Sequence, residues 1–155
     1  MRNRGVRGIH IIILSSILAC MIIVIFVFFT FFYPENRAEE VVEKFYDYEI
    51  NGLFSESWEL FHPLMKEKIP KGEYIQERAG FLVNHLEVTT SNYSIEDTKK
   101  LENWQMEAGA EGIPEVFKVL VSQEFNGKYG KVTIKQNVYV TDVDGEWKIL
   151  WDYKE

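Results

Sequence analysis

Apolar and polar positions divide the chain into two patterns. Residues 9–33 form an apolar run of 25 residues without acid, Lys or Arg, and 17 of them are Ile, Leu, Val or Phe. Past residue 34 the apolar positions recur at spacings of three and four, and past residue 84 at every second position. The first run predicts one helix about 37 Å long, enough to cross a hydrocarbon core about 30 Å thick with some tilt. Its β-branched and aromatic content would favour strand in water. In lipid a lone segment must satisfy its own backbone, which selects helix.

The remaining pattern predicts helices first and strands afterwards. Over residues 37–50, Ala38, Val41, Val42, Phe45 and Tyr46 mark one helical stripe, with Glu35, Glu39 and Glu40 at its start and Asn51-Gly52 at its end. A second helix is expected over 53–61, stopping near His62-Pro63. A third is expected over 71–84 through Tyr74, Ile75, Arg78, Phe81 and Leu82. Strands are expected over 85–95 and 98–106, then a loop over 108–114. A strand over 116–125 carries Phe117, Val119, Val121 and Phe125 on one face. Asn126-Gly127 reads as a two-residue hairpin turn. The next strand, 131–143, puts Val132, Ile134, Val138 and Val140 on one face. Asp144-Gly145 turns again, and 146–153 returns with Trp147, Ile149, Trp151 and Tyr153 together. The expected class is α+β: a transmembrane helix, then about three helices packed on an antiparallel sheet.

Charge orients this arrangement. Arg2, Arg4 and Arg7 precede the apolar run, and mainly acidic residues follow it. The positive-inside rule predicts a cytoplasmic stretch over 1–8, a membrane span over 9–33, and residues 34–155 outside the cell membrane. The sole cysteine, Cys20, raises a competing reading. Arg-rich start, apolar stretch and Ile17-Leu18-Ala19 before Cys20 also resemble a lipoprotein signal with lipidation at that cysteine. Residues 21–33 stay apolar, however, where a mature lipoprotein should turn polar. The uncleaved anchor is therefore the expectation.

All 24 acidic residues but only 14 of the 17 Lys and Arg lie in residues 34–155, so this part carries a net charge of −10. That argues against nucleic acid as a partner and against tight docking on anionic lipid. All four Trp, six Phe and seven Tyr also lie there, enough apolar bulk for a core without disulfides.

Three stretches resemble a known superfamily. AEEVVEKFYDYEINGLFSESWELF is similar to the opening of nuclear transport factor 2-like domains, and KIPKGEYIQER to the start of their third helix. VDGEWKILWDYKE resembles the last hairpin of the non-catalytic N-terminal domain of methicillin-resistance-type penicillin-binding proteins. The resemblance covers residues 37–155 and implies a cone-like domain, a curved sheet wrapping helices, in some members with a pocket at the open end. The transpeptidase domain is expected to be absent: there is no Ser-x-x-Lys and no Lys-Thr-Gly, so penicillin binding does not carry over. An anchor before such a cone also resembles assembly subunits of type IV secretion and conjugation machines.

Candidate chemistry is sparse. Gln136 lies between Ile134 and Val138 on the inward parity of its strand, as a core amide or a pocket-lining one. His85 opens an expected strand, as a surface histidine or a base. Trp147 and Trp151 share a strand face, as core or as a platform for a sugar or peptide. His10, His62 and His85 make no ligand pair, so neither a metal nor a cofactor is expected. No catalytic residue is assigned. The expected function is a non-catalytic, membrane-anchored interaction or spacer module of the bacterial envelope with a protein partner. The alternatives are a cone-pocket binder or enzyme, and an assembly subunit of a secretion or conjugation machine.

Overall fold

The computed structural model describes residues 14–25, 33–80, 90–127 and 130–154. The chain forms two compact units, Met1–Asn36 and Arg37–Glu155. In the first, residues 14–25 are helical (α1) and every one is exposed, the large apolar side chains by 48–66%. Among the described residues no helix is long and apolar enough to cross a membrane. Residues 9–13 and 26–32 of the run expected to span lie outside the described residues.

The second unit is α+β, with helices first and a sheet after. Helix α2 (Pro34–Ile50) buries Ala38, Val41, Val42, Phe45, Tyr46 and Glu49. It ends as the Asn-Gly pair predicts. Leu53 N–H reaches the Tyr48 carbonyl and Gly52 N–H the Glu49 carbonyl, a pairing that needs a left-handed residue, and Gly52 sits at φ +71°. Helix α3 (Phe54–Glu59) and helix α5 (Lys71–Gly80) fall within the expected second and third helices. Between them is an unexpected helix, α4 (Pro63–Lys68). It starts with proline at its first position, and His62 caps it, Nδ1 accepting from Leu64 N–H at 3.2 Å. The second unit thus has four described helices, not three.

The sheet is an antiparallel meander, β1 (Thr90–Trp104), β2 (Ile113–Gly127), β3 (Gly130–Val143) and β4 (Glu146–Leu150), in that spatial order. Cross-strand partners Val119↔Val138, Val121↔Gln136 and Val140↔Ile149 put the predicted apolar face together. Three readings of the sequence change, the first being that the expected strand 146–153 ends at Leu150, so Trp151 and Tyr153 lie beyond it and Trp147 and Trp151 do not share a strand face. The described parts of the expected strands 85–95 and 98–106 are one strand, interrupted by a bulge between Ile95 and Asp97, while residues 85–89 lie outside the described residues. The extra residue moves the inward face from odd to even positions, which breaks period-two alternation. Asn126 and Gly127 are the last ladder residues of β2, paired with Lys131 and Gly130, so they belong to the ladder and not to a turn. The Asp144-Gly145 turn does form, both residues having positive φ, as a tight hairpin requires.

Helix α2 lies on the face that carries Val119, Val121 and Val138. Tyr46 stacks on Tyr93 of β1 at 5.4 Å, and Thr98 donates to Glu39 at 2.6 Å. Phe61 joins the outer edge of β4 as a parallel bridge, Ile149 N–H donating to the Leu60 carbonyl and His62 N–H to the Ile149 carbonyl. Both side chains are fully buried. On the opposite face Trp104 stacks on Tyr139 at 4.4 Å, and Met106 is buried as well.

Candidate binding groove and buried polar cluster

Glu49 follows Val42 and Phe45 at spacings of seven and four, which carries an acid onto the apolar stripe of α2. Its side chain is only 2% exposed. Burial of a carboxylate is costly unless every oxygen is engaged, and here both are. Oε1 accepts from Ser57 of α3 and from Tyr74 of α5, each at 2.7 Å. Oε2 accepts from the Arg78 guanidinium through both Nε and a terminal nitrogen. Ser57 and Tyr74 also lie 3.2 Å apart. One carboxylate thus fastens three helices to one another. Burial, reinforced by the charge of Glu49, pushes the Tyr74 hydroxyl well above its ordinary pKa, so it stays a donor.

Tyr74 and Arg78 also face an open groove. Its volume is about 690 Å³, and its lining is Ile69, Glu73, Tyr74, Gln76, Glu77, Arg78, Gly80 and Trp151. This is within the range of small-ligand sites, about 300–1,000 Å³. Trp151 packs edge-on against Phe61 at 5.0 Å and Phe45 at 6.4 Å. Its backbone N–H meets Met65 Sδ at 3.4 Å, while the buried indole Nε1–H has no acceptor among the described residues. A smaller cleft of about 310 Å³ is lined by His62, Ile113, Glu115, Phe117, Asp142 and Trp147 among others.

The residues singled out from sequence are therefore dispersed. Gln136 is half-buried and accepts a long hydrogen bond, 3.4 Å, from Tyr46. Trp147 lies 5.6 Å from Phe117 and lines the smaller cleft. Trp151 lines the larger groove. His85 lies outside the described residues, and Cys20 is a free, exposed cysteine on α1. Glu49, Ser57, Tyr74 and Arg78 were not singled out. Glu49 on an apolar stripe was the available signal, supported by Tyr74 and Arg78 one helical turn apart. Among the described residues no group of His, Cys, Asp and Glu is placed to hold a metal ion. No protein-family model matches the chain, and no curated protein matches it.

Proposed function

We propose that the chain is a single-pass membrane protein. Residues 9–33 cross the bilayer, the amino terminus is cytoplasmic, and the acidic second unit is a non-catalytic module that binds a partner in the bacterial envelope. The observation that carries this is α1. Its large apolar side chains are 48–66% exposed on every side of the helix, a surface suited to lipid and costly in water. The arginines before it and the acids after it support the orientation. Helices laid on one face of an antiparallel meander are in keeping with a nuclear transport factor 2-like head.

Membrane fractionation and protease accessibility in intact cells test this. The expected outcome is a full-length chain that resists alkaline extraction, with residues 34–155 digested from outside. A mature chain starting at a lipid-modified Cys20, or a tail protected on the cytoplasmic side, would overturn it. The groove favours a second element of the reading: the head recognises its partner through a pocket rather than serving as an inert spacer.

A further inference from the structure

We propose that the groove between α5 and Trp151 binds a protonated alkylamine, its ammonium between Glu73 and Glu77 and its carbon chain against Ile69 and the indole ring. This rests on reading the head as a binding module and names the chemistry that module takes.

The charge of the lining decides the sign of the ligand. Among the described residues of the lining Arg78 is the one cation, and Glu49 behind it already engages that charge through two nitrogens of the guanidinium. Glu73 and Glu77 remain, four residues apart and so on one face of α5. Both are exposed, and neither has an ion-pair partner among the described residues. Elsewhere on this unit many acids are matched: Glu59 with Lys66 and Lys71, Glu96 with Lys135, Glu107 with Lys68, Glu124 with Lys131. Two like charges at this spacing weaken an isolated helix, so their pairing gains nothing for α5 itself.

The remaining lining decides the body of the ligand. Ile69, Tyr74 and Trp151 give the groove an apolar and aromatic wall. An anion would meet two carboxylates. A neutral molecule filling the groove would strip water from both without replacing it. An ammonium on an aliphatic stem pairs with the acids, lays methylenes on the apolar wall, and gains further attraction from an aromatic face. The chemistry is met by a free amine and by the lysine side chain of a polypeptide.

Titration of the full chain in detergent, followed by its tryptophan indole N–H resonances, separates these. The probes are n-pentylamine, its neutral counterpart n-pentanol, and Nα-acetyl-lysine methylamide beside the norleucine analogue. We expect saturable shifts of one indole signal with the amines, and affinities at least about tenfold weaker for the neutral probes. Binding by both amines marks the ammonium alone as sufficient. Binding by the lysine derivative alone assigns the site to a partner's side chain. In the double variant Glu73→Gln/Glu77→Gln affinity should fall about tenfold or more, while Glu67→Gln, at an exposed acid of α4 outside the groove lining, stays within about twofold. These positions are exposed, so the variants keep their fold. Equal binding of amine and alcohol, no saturable binding by either amine, or an unchanged affinity in the double variant would each overturn the proposal. None of those outcomes depends on which side of the membrane the head occupies, so this test and the topology test fail separately.

Discussion

Glu49 and Glu59 are ten residues apart, and each is ringed by donors. Glu49 is sealed, at 2% side-chain exposure, and holds Ser57, Tyr74 and Arg78. Glu59 is 55% exposed and lies between Lys71 at 2.6 Å and Lys66 at 3.0 Å. On paper the two look alike. In the sealed site the alternative to each bond is a buried, unsatisfied group, whereas at Glu59 the alternative is water. The difference teaches that a list of ion pairs says little about stability until burial is attached to each pair.

Mutations can break this comparison. The largest effect is expected from Arg78→Met, which leaves the Glu49 charge buried and uncompensated. We expect a loss of about 3 kcal/mol or more in urea unfolding followed by tryptophan fluorescence. The double variant Glu49→Leu/Arg78→Met should regain most of that loss, because no buried charge remains. A double variant as unstable as the single one would show that packing, not charge, is responsible. Next comes Tyr74→Phe, which takes one donor from Oε1 and should cost about 1.5–3 kcal/mol, the range for a hydrogen bond to a charged group.

A third, smaller effect depends on pH. Burial lowers the pKa of His62 below 6.5, and its Nδ1 must be unprotonated to cap α4. The unfolded chain therefore binds the proton more readily than the folded one. The stability due to neutral His62 is fully present above pH 6.5 and is lost as pH falls below it. His62→Asn keeps a capping side chain and should flatten the unfolding midpoint between about pH 7 and pH 5. The smallest effect is expected at the other end of the comparison. Hydrogen bonds from Lys71 and then Lys66 pull the Glu59 pKa down to about 2. Its contribution is present above about 4.5 and declines as pH falls toward 2, but solvent screens it. Glu59→Gln should stay within about 0.5 kcal/mol of the parent near neutral pH.

Much of the sheet was legible because its patterning is local. Alternation in Phe117–Val119–Val121 and Val138–Val140, with Trp147 and Ile149, matches the pairs the strands form. Helix α2 was legible with its closing glycine for the same reason. The bulge beside Ile95 was not, since one extra residue turns a continuous strand into two apparent ones. Helix α4 was missed because six residues around a single buried side chain, Met65, are too short to show a period. The Asn126-Gly127 turn was misplaced because pairing along the whole of β2 and β3, rather than two turn-forming residues, sets where the hairpin folds back. The polar cluster was hidden for a different reason. Glu49 is one acid among 24, and only the approach of α3 and α5 distinguishes it from those in water. The groove likewise joins Glu73 and Glu77 to Trp151 from a distant part of the chain, which no local pattern announces.

The bridge between Phe61 and Ile149 sets a schedule for the molecule's maturation. A ribosome delivers the helices long before it delivers β4, and until then Phe61 has no edge strand to join and Leu60 no amide to receive. Until then the helical half lacks its backbone tie to the sheet, although Glu49 already has Ser57 and Tyr74 within the helices. Arrival of β4 is the latch, and a chain cut before Glu146 would lack both of those backbone hydrogen bonds.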